Sequence, residues 1–278
     1  MTYLTAPTRH IQVAGKAVAY RDLGEVTDAP TLVMLVHLAA TMDNWDPALV
    51  DLIAAQRRVV VVDLPGVGSS EGDVATTIPA MARQVTDFID ALGLTEIDLL
   101  GLSMGGMIAQ EVVRGRPDLV AHLVLVGTGP RAGVGIDRVT SRTFFYMARA
   151  ALRRTDPKRY IFYTHDERGK AEAAKALGRL ASREPRYAGD PMSVRGFLRQ
   201  LVAIRRWGRD AHDDLSWVAP ATLIVNGDQD MMVPTSNSYD MHKRIVGSEL
   251  IIYPDAGHGS IFQYASRFAD DLAQFLAS

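Results

Sequence analysis

The stretch Leu99-Leu100-Gly101-Leu102-Ser103-Met104-Gly105-Gly106 decides how this chain folds. An apolar run enters Gly-x-Ser-x-Gly, and a segment of helical character, Met107 to Arg116, follows at once. A strand turning straight into a helix crowds its own backbone, and Gly101 and Gly105 leave room for that turn. The residue between them is held strained, with its side chain projecting from the sheet edge. The helix N-terminus beneath Ser103 favours negative charge, and the Met104 amide can point at an oxyanion. Ser103 is therefore a candidate nucleophile. A Gly/Ser-rich turn of no chemical importance is the bland alternative, weakened by the strand before it and the helix after it.

Outward from this turn, strands and helices alternate. Thr31–Val36, Val59–Val62, Ile97–Leu100, Leu123–Val126, Thr222–Val225 and Leu250–Tyr253 are short, predominantly apolar runs. Strands look like this when both faces of a parallel sheet are covered. Ile11–Val13 and Ala17–Tyr20, joined by Ala14-Gly15-Lys16, read as an opening hairpin. Ile78, Met81, Val85, Phe88 and Leu92 share a helical face, with Thr77 as N-cap and Gly93 as stop. Ile261, Tyr264, Phe268, Leu272 and Phe275 repeat the pattern near the C-terminus. The alternation predicts an α/β fold with a doubly wound, mostly parallel sheet.

The middle of the chain breaks this rhythm. From about Gly129 to His212 no convincing strand is present; Ala, Arg and Leu recur at helical spacing, punctuated by Pro157, Pro185 and Pro191. Charge draws the same boundary. Arg131 to Arg209 holds 19 Lys/Arg and 7 Asp/Glu, a net of +12, while the rest of the chain is at −14, so the total of −2 conceals a basic middle in an acidic frame. The expected organisation is a core of residues 1–129 and 213–278 with a helical insertion at 130–212. Attraction across the seam would help hold the insertion closed.

The 278 residues are 47% apolar and 22% charged, which excludes disorder, collagen and coiled coil. There is no cysteine, so disulfides, thiolate metal sites and a cysteine nucleophile are impossible. No apolar run reaches signal-peptide or membrane-span length, giving a cytoplasmic expectation with no membrane partner. The basic insertion carries no nucleic-acid reading motif, and solvated arginines explain it more cheaply.

A serine at neutral pH needs a base, and the base an orienting acid, which in this architecture follow the serine as acid and then histidine. The strand Thr222–Val225 runs into Asn226-Gly227-Asp228-Gln229-Asp230, which makes Asp230 the better acid and Asp228 the runner-up; helix capping is the structural alternative. His242 lies in a helical stretch and reads as a surface residue. His258, in Pro254-Asp255-Ala256-Gly257-His258-Gly259, follows the last strand where α/β sheets place their sites, and is the expected base. A metal at Asp228 and Asp230 has no further ligands at a recognisable spacing.

With these residues the chain resembles the α/β-hydrolase superfamily, in the branch of cofactor-free chloroperoxidases, esterases and C–C hydrolases. The resemblance is carried by Gly101-Leu-Ser-Met-Gly105, Gly227-Asp-Gln-Asp230, Ala256-Gly-His258 and Asp63-Leu-Pro-Gly66-Val-Gly68-Ser-Ser70. It covers the whole chain except the insertion, which would be the family's variable helical cap. It implies Asp230 as the acid, a structural turn at Asp63–Ser70, and no cofactor or metal. Dehalogenases and epoxide hydrolases of this fold carry Asp at the nucleophile position, and Ser103 is not Asp. One departure concerns the second oxyanion donor, because the usual His-Gly-x is replaced by Val36-His37-Leu38-Ala39-Ala40-Thr41. Counting back from Trp45 favours Leu38, while counting from His37 makes it Ala39. His37 reads as structural ahead of substrate contact.

The expectation is a serine hydrolase acting on a small or medium carboxylic ester or lactone with an apolar acyl group. Ser103, His258 and Asp230 would do the chemistry, with the Met104 and Leu38 amides as oxyanion hole. C–C bond hydrolysis, perhydrolysis and acyl transfer use the same machinery; a non-catalytic ligand receptor with a vestigial triad is the reading from another class. Phe144, Phe145, Tyr146, Met147, Trp207 and Trp217 would either wall the site or form the insertion's own core. The oligomeric state, including a homo-oligomer, is left open.

Overall fold

The structure is a computed structural model, and it describes residues 1–277. The chain opens on a hairpin of β1 (Arg9–Val13) and β2 (Lys16–Leu23). It then alternates through β3 (Thr31–Leu35), α1 (Pro47–Ala54), β4 (Val59–Val62), α2 (Ile78–Ala91), β5 (Ile97–Leu102), α3 (Met104–Gly115) and β6 (Val120–Val126). Four helices follow without a strand: α4 (Val139–Arg153), α5 (Lys158–Phe162), α6 (Glu167–Ala181) and α7 (Val194–Gly208). The alternation resumes with β7 (Ala221–Gly227), α8 (Ser236–Arg244), β8 (Glu249–Tyr253), α9 (Ser260–Gln263) and α10 (Ala265–Phe275).

One eight-stranded sheet results, in the order β1-β2-β4-β3-β5-β6-β7-β8. The hairpin pairs antiparallel, β2 joins β4 antiparallel, and every later pairing is parallel. The apolar runs are central strands buried on both faces, as in β4, and also in β5, where Asp98 is buried among them. Successive residues divide between two cores: Val33, Leu35, Val60, Leu99 and Leu123 face α2 and α3, while Leu32, Met34, Val59, Leu100 and Val124 face α1 and α10. Period-2 side-chain alternation on a doubly covered sheet requires this division. Each such Val or Leu contributes roughly 1.5–3 kcal/mol by leaving water.

Local signals explain the boundaries. Thr77 caps α2, its hydroxyl accepting the Ala80 amide, and Asp46 caps α1 through the Ala48 amide. The C-terminal apolar stripe does not form one helix: at Tyr264 the backbone turns to φ −115° and ψ 36°, separating α9 from α10. The stripe still points inward, since Ile261, Phe268, Leu272 and Phe275 are all buried.

Arginines of the basic segment meet carboxylates on the elements that flank the sheet. Arg179 meets the buried carboxylate of Asp46 at 2.5 Å, Arg183 meets Asp43 at 3.2 Å, and Arg131 meets Glu111 at 2.8 Å. Arg195–Asp73 (3.5 Å) and Arg168–Asp255 (3.5 Å) are exposed and worth little. No helix is long and apolar enough to cross a membrane among the described residues.

The order also fixes where a site can form. From β3 the chain moves outward to β4 and then crosses back to β5 on β3's other side. The segments leaving β3 and β5 therefore depart to opposite faces, and a crevice opens between their carboxyl ends. Ser103 follows β5 and the loop His37–Thr41 follows β3.

Candidate active site

Ser103 is the turn itself. Its backbone is held at φ 57° and ψ −114°, a conformation L residues rarely adopt. The turn is pinned from both sides: the Ser103 amide donates to Val126 O at 2.8 Å, and the Thr128 hydroxyl donates to Ser103 O at 2.8 Å. The flanking glycines are required by contact. A Cβ on Gly101 would lie 2.3 Å from Gly105 O, and one on Gly105 would lie 2.2 Å from Leu35 O.

Beyond β7, Asp228 and Asp230 separate in character. Asp228 is exposed and accepts the Ala256 amide at 3.2 Å. Asp230 is buried, and its Oδ2 lies 2.7 Å from Nδ1 of His258, itself 3% exposed. A carboxylate only accepts, so Nδ1 carries the proton of this bond and the neutral ring has its lone pair on Nε2. The His258 loop is fixed by two further bonds, Gly257 N to Gln263 Oε1 (2.8 Å) and Gly259 N to the Phe162 carbonyl (2.7 Å). His242 is exposed and pairs with Ser248, away from this cluster.

Ser103 and His258 line one cavity of about 320 Å³, with His37, Leu38 and Ala39 on a third side. The remaining walls are mainly apolar and come from the helices between β6 and β7, including Val139, Met147, Ile161, Phe162 and Phe197. Lys158 is the charged residue on that wall. Of the aromatic and methionine candidates in the insertion, only Met147 reaches the cavity. Tyr146 and Trp207 are buried in the packing, the Trp207 indole donating to Gly129 O; Phe144 and Phe145 are largely exposed, and Trp217 stacks under Arg114.

His37 is both buried and at the cavity. Its Nδ1 donates to Leu38 O at 2.9 Å, leaving Nε2 unprotonated, and its ring lies 4.5 Å from that of Phe162. Burial pushes the imidazole down to about 3, and the positive Lys158 acts in the same direction. Asp63, in the turn after β4, is fully buried and accepts the Met42 and Ser69 amides, so it braces the neighbouring loop. Burial raises its carboxyl to about 7.

Three of the five amides of the loop His37–Thr41 are engaged, as is that of Met42 just beyond it. Ala39 donates to Gln200 Oε1 (2.8 Å), Ala40 to His37 O (3.3 Å), Thr41 to Asn44 Oδ1 (2.9 Å) and Met42 to Asp63 Oδ1 (2.7 Å). No bond from the Leu38 amide is present among the described residues. Gln200, Phe162, Lys158 and Thr128 escape a reading of motifs. Only Gln200 leaves a trace, a polar residue on the apolar stripe of Leu201, Ala203, Ile204 and Trp207. No group of three or more His, Cys, Asp or Glu that could hold a metal occurs among the described residues.

A doubly wound sheet with a strained serine elbow and a carboxylate-bonded histidine at one cavity is the arrangement of a class of hydrolytic enzyme. The family model for the alpha/beta hydrolase fold matches residues 30–264, and the chain belongs to that family. A 2-hydroxy-6-oxononadienedioate/2-hydroxy-6-oxononatrienedioate hydrolase of Klebsiella pneumoniae is 30% identical over 242 residues, covering 84% of this chain and 80% of that protein. An alpha/beta hydrolase fold protein from Chitinophaga pinensis superposes with a TM-score of 0.92 at 33% identity, over 100% of both chains. The enol-lactonase of Burkholderia xenovorans shares the fold (TM-score 0.75, 21% identity, 97% of this chain and 100% of that one). The chain is thus a hydrolase of this family, the class its sequence resembles.

Proposed function

We propose that the protein hydrolyses a small or medium carboxylic ester or lactone through an acyl-enzyme on Ser103. The observation that carries this reading is the 2.7 Å bond from His258 to buried Asp230, beside a cavity that Ser103 also lines. Ser103 Oγ attacks the carbonyl carbon while His258 Nε2 takes its proton. Asp230 holds the tautomer and stabilises the imidazolium. The Met104 and Leu38 amides bind the tetrahedral oxyanion; Leu38 is preferred because the Ala39 amide is already given to Gln200. Collapse expels the alcohol, which leaves with the proton from His258. Water, deprotonated by the same imidazole, then releases the acid. No cofactor enters these steps. The helices of residues 130–212 act as a cap whose apolar wall receives the acyl group.

C–C bond hydrolysis is the second reading, favoured by the name of the relative from Klebsiella pneumoniae. Both readings need Ser103. Treatment with a fluorophosphonate should give a single adduct on Ser103, absent in Ser103→Ala. That variant should lose short-chain ester turnover by up to ~10⁶-fold. Folded protein that takes no adduct would overturn the reading. A panel of esters, lactones and vinylogous diketones separates the two chemistries.

A further inference from the structure

Building on the hydrolase reading above, we propose that Gln200 is a positioning residue for the oxyanion loop. It holds the Ala39 amide turned away, so that the Leu38 amide is the one presented to the reacting oxygen. Gln200 stands on α7, 161 positions from Ala39 in the chain, and its Oε1 accepts the Ala39 amide at 2.8 Å. Its side chain is almost fully buried (2% exposed) on the stripe where Leu201, Ala203 and Ile204 pack. A carboxamide costs free energy there unless it is bonded, and a leucine would fill the stripe without that cost. The bond therefore has a purpose beyond packing.

The loop shows what that purpose is. Ala39 sits at φ 62°, where a non-glycine residue persists only if its surroundings hold it. Ala40 N–H to His37 O and His37 Nδ1 to Leu38 O hold the peptides on either side of Leu38 from within the loop, and the Ala39 bond to Gln200 is the restraint beside them that comes from outside it. Gln200 also borders the small void beneath Met104, behind the other expected donor. One turn earlier on α7, Phe197 lines the substrate cavity. Packing of an acyl group against Phe197 thus bears on the same helix that sets the donor, which couples substrate fit to turnover as well as to binding.

The test uses Gln200→Leu, which removes the acceptor, and Gln200→Glu, which keeps one. In Gln200→Leu, amide hydrogen exchange over residues 36–41 should quicken by about tenfold or more. Its kcat on p-nitrophenyl butyrate should fall about 10- to 100-fold, because misplacing one donor forfeits much of its effect. KM should stay within about twofold, as for an interaction made in the transition state. Inhibition by a trifluoromethyl ketone, which forms a tetrahedral oxyanion on serine, should weaken in step with kcat/KM. Gln200→Glu should recover most of the exchange protection and turnover. A folded Gln200→Leu with wild-type exchange and kcat overturns the proposal, as does a folded Gln200→Glu equally impaired. If the wild type neither turns over esters nor takes the fluorophosphonate, the hydrolase reading fails, while the exchange comparison still decides whether Gln200 holds the loop.

Discussion

Asp230 divides its two oxygens between the site and its own backbone: Oδ2 meets His258 Nδ1 at 2.7 Å, while Oδ1 accepts the amides of Met232 and Val233 at 2.8 and 2.9 Å. The backbone bonds fix the carboxylate, and the fixed carboxylate orients the imidazole. Asp230→Asn can keep the backbone bonds through its carbonyl but turns an N–H toward His258. The histidine must then accept on Nδ1 and carry its proton on Nε2, where a base is needed. Ester turnover should drop by about 10⁴-fold with the protein still folded. Exposed Asp228→Asn should stay within about twofold. Steady-state kinetics on both variants checks this; equal losses would return Asp228 to contention.

Gly105 touches the sheet, so its replacement tests the elbow as a mechanical device. Gly105→Ala would drive a Cβ to 2.2 Å from Leu35 O and should cost about 3 kcal/mol or more, as overpacking does. Gly115→Ala, near the end of the same helix with open space around it, should be neutral or stabilising by up to about 1 kcal/mol. Urea melts measure both, and similar midpoints would refute the crowding argument.

The pH dependence of stability carries two opposing contributions. His37 has a folded value of about 3 against an ordinary 6.5, so between these limits the unfolded chain takes up a proton that the folded chain refuses. Its contribution is full above pH 6.5 and is lost as pH falls toward 3. Asp63, raised from 3.8 to about 7, acts the other way: the folded chain keeps its proton, and the contribution declines as pH rises through that range. Between pH 6.5 and 4.5, His37→Gln should flatten the fall in Tm and Asp63→Asn should steepen it. Melting curves that shift in parallel would contradict both assignments.

Lys158 is the cation on a mainly apolar wall. Lys158→Met should lower the kcat/KM ratio of a hemi-ester of a dicarboxylic acid to a neutral ester of equal length by about fivefold, the scale of a half-exposed charge pair. Competition between the two substrates measures that ratio directly. An unchanged ratio would remove Lys158 from substrate selection.

The sheet was legible because burial on both faces leaves an unmistakable imprint, the uninterrupted runs at Val59–Val62 and Leu123–Val126. The proposed triad of Ser103, Asp230 and His258 could be read from the sequence because each follows a strand and is bracketed by glycine or turn residues. The residues that tune the site were not. Phe162 meets the His258 loop through a carbonyl, which every residue has, and Lys158 stands at a wall that only the packing of the helices between β6 and β7 defines. Tyr146 and Trp207 fail as pocket candidates for the same reason, since helical spacing cannot say which neighbour an apolar face will meet. The break at Tyr264 is likewise silent, because no proline or glycine marks it.

Two of the bonds between the helical segment and the loops around Ser103 and His258, Ala39 to Gln200 and Gly259 to the Phe162 carbonyl, bear on how such enzymes can be recombined. A segment joined to its host only through walls and surface charge could be exchanged like a tool head, altering what is gripped and nothing else. Here a transplanted segment would also carry away two struts of the loops around Ser103. Chimeras made between β6 and β7 should therefore lose speed along with selectivity, unless the donor brings an acceptor to the place of Gln200 and a carbonyl to that of Phe162.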